Sequence, residues 1–172
     1  MSRLFIVMGV SGSGKTTVGR LLAQALRLPF YDADDFHSDA NIEKMRGGTP
    51  LTDGDRGKWL ATLAAGLGAW EVAGGAVLAC SALREQYRTV LQAGASTPIS
   101  WVVLEGAREL LAARLSARPG HYMGVGLLES QLATLESPAY GLHLSIGPPP
   151  EELVRHILAQ LQENPTSFQA AR

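Results

Sequence analysis

Leu4-Phe5-Ile6-Val7-Met8 is a run of five apolar residues with no polar alternation. Such a run predicts a strand covered on both faces, as in a parallel sheet. Gly9 to Gly14 break it, and from Thr16 the pattern turns helical: Val18, Leu21, Leu22, Ala25 and Leu26 share one face until Pro29. Pro29-Phe30-Tyr31 leads into a second, short strand. Residues 39–45 form a short helical pattern capped by Ser38 or Asp39, and Gly47-Gly48-Thr49-Pro50 follows as a turn. Leu60, Leu63, Ala64, Leu67 and Trp70 mark a longer amphipathic helix, and residues 76–80 a third buried strand. Residues 84–91 are helical, 99–104 a fourth strand and 107–115 helical again. Pro119-Gly120 interrupts the pattern. Residues 127–135 then predict a helix ending before Pro138, 142–146 a last strand, and Leu153, Val154, Ile157, Leu158 and Leu161 a terminal helix. The residues after Glu163 are small and polar and suggest a frayed tail.

Strands alternating with helices predict an α/β, three-layer αβα fold, a parallel sheet flanked by helices on both faces. Ligands in such sheets bind beyond the strand C-terminal ends. With 172 residues, no internal repeat and no linker, one domain is expected over residues 1–162, with 163–172 as a flexible tail. A hydrophobic fraction of 46% against 18% charged residues is that of a globular chain. Fifteen basic and 16 acidic residues, net charge -1, leave no electrostatic footprint for nucleic acid or a membrane surface as partner. No stretch approaches the ~18 apolar residues of a membrane span, and 4–8 is too short for a secretory leader. Cys80 is the single cysteine, which excludes an internal disulfide framework and suits a reducing cytoplasm.

Gly9-Val10-Ser11-Gly12-Ser13-Gly14-Lys15-Thr16 matches G-x-x-x-x-G-K-[ST] without a gap. The glycines free the backbone, successive N–H groups make an anion nest, and the helix starting at Lys15 adds its positive end. Lys15 is expected to meet the β- and γ-phosphates and Thr16 to hold Mg²⁺, with Gly9 to Thr16 and Thr17 as the ATP contacts. The chain shows no Asn-Lys-x-Asp base reader of a switch GTPase, which favours a small-molecule kinase. After the second strand, strand alternation would turn Asp32 and Asp34 to the same side. Asp34 is the first choice to take the proton of an attacking hydroxyl, and Asp32 a contact to Mg²⁺ through water. The competing reading is an acidic loop capping the next helix; Asp39 fits that better, and Asp35 fits either.

The chain resembles the gluconate kinase (gluconokinase) family, a branch of the shikimate-kinase-like phosphate-loop kinases. The resemblance is carried by the loop from Met8 to Thr16, Asp32-Ala33-Asp34 with His37, Asn41-Ile42-Glu43-Lys44-Met45 and Pro50-Leu51-Thr52-Asp53. It continues through Asp55-Arg56 with Trp59-Leu60, Cys80-Ser81-Ala82-Leu83 with Tyr87-Arg88, and Arg118-Pro119-Gly120-His121. Leu127-Leu128-Glu129-Ser130-Gln131 and Leu135-Glu136-Ser137-Pro138 complete it. The resemblance implies ATP-dependent phosphorylation of D-gluconate at its 6-hydroxyl, a cytoplasmic homodimer, and a lid over about residues 118–138. Gluconate is a polyol with one carboxylate. Arg56 and Arg88 suit that carboxylate, His37, Ser81 and Tyr87 its hydroxyls, and Lys44 adds charge. Arg118 first and Arg114 second are expected to close over the phosphates, with His121 at the substrate and Pro119-Gly120 helping the hinge.

Each assignment has a structural rival. Arg56 follows Asp53 and Asp55 and can pair with them at a helix start. Tyr87 and Arg88 can be surface residues, Arg114 a solvated helix residue, and Cys80 and Trp59 core. The segment 144–150 departs from the family, carrying Gly147-Pro148-Pro149-Pro150 where aspartates precede one proline. Two rival functions are a kinase for another small hydroxy acid such as shikimate and a non-catalytic nucleotide-binding protein.

Overall fold

In the computed structural model, which describes residues 3–119 and 124–170, the apolar run Leu4–Met8 is the central strand β1, buried throughout. β2 (Phe30–Asp32), β3 (Ala76–Ala79), β4 (Ser100–Glu105) and β5 (Leu142–Ser145) join it in one sheet of order β2-β3-β1-β4-β5. Every pairing is parallel. The helices are α1 (Lys15–Leu26), α2 (Asp39–Arg46), α3 (Asp53–Val72), α4 (Glu85–Ala93), α5 (Arg108–Ser116), α6 (Val125–Thr134) and α7 (Pro150–Glu163). α1 packs with α7, α3 packs with α4, and both α1 and α3 touch β1 and β3. A strand run without alternation is the mark of a sheet covered in this way.

The register sets the site. Val7 pairs with Ala79, and Ala79 with Asp32, so β1, β2 and β3 end at one level. The glycine loop after β1, the acidic turn after β2 and Ser81 after β3 therefore share one rim, where the chain order reverses across β1.

Local signals end the helices where they do. Arg27, with φ 56, closes α1 in the left-handed conformation, and Leu28 N–H reaches back to the Ala23 carbonyl at 2.9 Å. Ser38, not Asp39, caps α2, its hydroxyl accepting the Asn41 N–H at 3.2 Å. α3 begins well before its first apolar marker because Thr52 and Asp55 form a reciprocal capping box.

The tail departs from expectation. Residues Pro165–Phe168 form a 3-10 turn, and Phe168 is fully buried in the main core, against β4. One aromatic side chain anchors a stretch whose polar composition suggested fraying. A second, small apolar cluster of Met45, Leu51 and Leu127 joins α2, the turn after it and α6 above the rim.

Candidate active site

Three glycines shape the loop between β1 and α1, and two of them have no room for a side chain. A Cβ on Gly9 would lie 2.7 Å from Ser13 Oγ and 2.9 Å from the Leu104 carbonyl; one on Gly12, at φ +83, would lie 3.0 Å from the Leu111 carbonyl. The loop closes on itself through Ser13 N–H to the Val10 carbonyl at 3.2 Å and Lys15 Nζ to the same carbonyl at 3.3 Å. Burial holds the Lys15 pKa below its ordinary value, while the charges of Asp34 and Asp32 pull it back up.

The acidic turn is built differently from the alternation expected. β2 ends at Asp32, and Ala33–Phe36 is a 3-10 turn that Asp32 itself caps: its Oδ1 accepts the Asp34 N–H at 3.0 Å. The other oxygen, Oδ2, accepts the Thr16 hydroxyl at 2.7 Å. Asp32 thus combines a capping role with a direct link to the phosphate loop. The turn, not strand pleating, brings Asp34 to the rim.

Asp34 lines a cavity together with Ser11, Lys15, His37, Arg56, Trp59, Ser81 and Gln131. Trp59 Nε1 donates to the Ala33 carbonyl at 2.7 Å, which ties α3 to the acidic turn. The His37 ring stacks on Trp59 at 4.3 Å between centroids, 13° from parallel. Its Nε2 lies 3.9 Å from Asp34 Oδ1. Burial, with the Arg56 charge second, pushes the His37 pKa down to about 4, so the ring is neutral near pH 7 and the pair is not an ion pair. Its Nδ1 is buried with no hydrogen-bond partner among the described residues. Trp59 therefore packs, as expected, and also forms a wall of the site.

Arg56 reaches the cavity from the first turn of α3. Its Nη1 donates to the Leu51 carbonyl and lies 3.4 Å from the Tyr87 hydroxyl, with the guanidinium 5.4 Å from the Tyr87 ring centre. It does not pair with Asp53 or Asp55. Tyr87 instead donates its hydroxyl to Asp53, and that bond holds the Asp53 carboxyl below its usual range. Tyr87 supports Arg56 from behind and does not line the cavity.

Two expected substrate contacts are committed elsewhere. Arg88 is 1% exposed. Its guanidinium donates to the Ala82 carbonyl at 2.6 Å, the Glu136 carbonyl at 2.8 Å, Glu85 at 2.7 Å and the Tyr140 hydroxyl at 3.1 Å. Lys44 binds both oxygens of Asp55, at 2.8 and 2.9 Å. The helical spacing of these residues does not say whether a cation faces the rim or an internal carbonyl. Cys80 is buried and its thiol is pushed up to about 12, as suits a core residue.

On the far side of the loop, a second hollow is lined by Gly12, Ser13, Gly14 and Thr17, by Arg114 and Arg118 of the segment after β4, and by Ile146, Pro148 and Pro150. Arg114 Nη2 donates to the Ile146 carbonyl at 2.7 Å, which binds α5 to the divergent proline segment. The positive charge of Arg118 is felt at Lys15. Gly120 and His121 lie outside the described residues. Sequence reasoning assigned no role to Gln131. Its side chain crosses from α6 to accept the Ser11 N–H at 2.7 Å; the motif around Ser130-Gln131 was its one visible sign.

Residues 11–123 match the shikimate kinase family. A gluconokinase of Gluconobacter oxydans is 46% identical over 92% of this chain and 93% of its own. A gluconokinase of Arabidopsis thaliana is 40% identical over 91% and 90%. Among solved structures, a gluconokinase from Sinorhizobium meliloti superposes with a TM-score of 0.84 at 41% identity, covering 93% of this chain and 91% of that one. An adenylylsulfate (APS) kinase of Mycobacterium tuberculosis, TM-score 0.67 at 19% identity over 94% and 99%, shares the fold alone.

Proposed function

The chain belongs to the gluconokinase family, within the shikimate-kinase-like phosphate-loop kinases, and from that premise we propose how its residues carry out ATP-dependent phosphorylation of D-gluconate. The observation that carries the reading is the single cavity holding Lys15, Asp34 and Arg56 together. It offers a cation for a phosphoryl group, a carboxylate for a hydroxyl proton and a guanidinium for a carboxylate. That set matches gluconate at one end and a triphosphate at the other.

ATP lies with its phosphates in the loop from Gly9 to Thr16 and its base in the hollow between Arg114 and Pro148. Gluconate enters with its carboxylate toward Arg56 and its hydroxyls toward His37 and Ser81. The neutral imidazole of His37 has one donor and one acceptor, which suits a hydroxyl. Asp34 aims the 6-hydroxyl and takes its proton. O6 then bonds to the γ-phosphorus as the bond to the β,γ-bridging oxygen breaks, giving 6-phospho-D-gluconate and ADP. Phosphoryl transfer needs positioning and charge balance more than covalent chemistry, and Lys15 and Arg118 supply that balance. The lid, about residues 118–138 and including α6, excludes water that would compete as acceptor.

Magnesium belongs to the proposal. Thr16 Oγ1 and Asp32, 2.7 Å apart, are hard oxygen donors beside the loop and would hold it, Asp32 through water. No group of three or more His, Cys, Asp or Glu able to hold a metal exists among the described residues. A site completed by phosphate oxygens and water is therefore the fitting one. When bound, the ion screens charge on the β- and γ-oxygens. A cytoplasmic homodimer is proposed on the family resemblance. No described helix is long and apolar enough to cross a membrane.

The test is ADP formation from ATP with D-gluconate or shikimate as acceptor. Gluconate-dependent turnover is expected, with none on shikimate; nucleotide binding without acceptor-dependent ADP would overturn the reading. Asp34→Asn is expected to lower kcat by about 10²–10⁴-fold at saturating gluconate. Near-normal turnover would remove the base role and leave the function standing.

A further inference from the structure

Gln131 meets the phosphate loop at its acceptor end. Ser11 N–H can only donate, so the carboxamide presents Oε1 to it at 2.7 Å. Ser11 and Gln131 line the same cavity as Lys15 and Asp34, whereas Gly12, Ser13, Gly14 and Thr17 face the hollow on the nucleotide side. Ser11 therefore faces the cavity where, on the kinase reading, the terminal phosphate and the attacking hydroxyl meet. Its N–H belongs to the anion nest, and an N–H at that end is a donor for a γ-phosphate oxygen. On the kinase reading, ADP, one phosphate shorter, stops before that donor. One donor thus has two claimants, the Gln131 carbonyl and the γ-phosphate.

Gln131 also belongs to an element that shapes the acceptor side. Leu127, Ser130 and Thr134 of α6 line that cavity, and Leu127 packs on Met45 and Leu51. Releasing Gln131 from Ser11 alters the hold between α6 and the loop at the wall against which the acceptor rests.

Resting on the kinase reading above, we propose that Gln131 is a positioning residue that tells ATP from ADP and relays the difference to the acceptor cavity. The γ-phosphate displaces its carbonyl from the Ser11 N–H; ADP leaves the contact in place. By linkage, whatever separates the two nucleotide states at α6 also separates their affinities for gluconate.

The test is calorimetric titration of the whole chain with Mg²⁺-AMPPNP and Mg²⁺-ADP, and of gluconate into each complex. Gln131→Met keeps the shape and removes the competing acceptor. It is expected to tighten AMPPNP about 2- to 10-fold, the worth of one neutral hydrogen bond, with ADP unchanged. The gluconate affinity difference between the two nucleotide complexes should shrink in parallel. Gln131→Glu keeps an acceptor for Ser11 N–H and adds a negative charge. It is expected to weaken AMPPNP at least 10-fold relative to ADP, in the opposite direction. Equal effects on both nucleotides, loss of ADP binding in both variants, or unchanged AMPPNP binding in Gln131→Met would overturn the proposal. A wild-type chain that bound neither nucleotide would instead overturn the kinase reading itself.

Discussion

At His37 two influences on one imidazole oppose each other. Asp34, 3.9 Å from Nε2, favours the cation; the Trp59 face and the nearby Arg56 charge favour the neutral ring. Burial wins, because the side chain is 3% exposed, and the pKa falls from 6.5 to about 4. Between those values the unfolded chain binds a proton that the folded chain refuses. The contribution of His37 to folding stability is therefore complete above about pH 6.5, declines as pH falls toward about 4, and is flat below. The shift corresponds to about 3 kcal/mol. Urea unfolding from pH 7 to pH 4 is expected to show a loss in the wild type that is smaller by about that amount in His37→Asn. Parallel pH profiles for the two proteins would show that the ring is freely protonated in the folded state.

The turn from β3 to α4 shows why the site was only partly legible in the chain. Lys15, Thr16, Asp32, Asp34 and Ser81 sit at strand ends or at the helix start just after one, where their place in the chain order alone puts them near the rim. Tyr87 and Arg88 share a helix, and periodicity does not distinguish a guanidinium facing substrate from one facing internal carbonyls. Ala82 adopts φ 45, a left-handed conformation unusual for a residue with a Cβ, and Arg88 holds its carbonyl. The same guanidinium holds the Glu136 carbonyl, while Glu136 N–H donates to the Leu83 carbonyl at 2.8 Å. Arg88 thus fixes the turn that presents Ser81 to the cavity. Removing it leaves buried acceptors unpaired, so Arg88→Met is expected to cost about 3–5 kcal/mol. Measured well below the transition temperature, the KM for ATP should stay near the wild-type value, because Arg88 touches nothing in the nucleotide hollow. A stable variant with a selective rise in the gluconate KM would restore Arg88 as a substrate contact.

Across the whole molecule, the sheet was legible because its three inner strands, β3, β1 and β4, are short apolar runs set between helical patterns. The C-terminal segment was not, because one phenylalanine among polar neighbours gives no periodicity. Phe168 is fully buried against β4. Pro165 and Gln169 around it line a hollow with Arg3, Phe5 and Ser100, at the strand starts and so at the opposite end of the sheet from the phosphate loop. Stability and chemistry are separated by the length of the strands. Phe168→Ala removes a buried aromatic ring from a core that relaxes only in part, at a cost of about 3–5 kcal/mol. For a chain of this length that corresponds to a Tm lower by about 10 °C. Because the residues around the ring lie at the opposite end of the sheet from the acceptor cavity, kcat and both KM values at 20 °C should remain within about twofold of wild type if the variant is still folded there. Differential scanning calorimetry beside steady-state assays checks both halves. An unchanged Tm would mean that the tail contributes nothing to the core, and a kcat loss in the folded variant would mean that the two ends of the sheet are coupled.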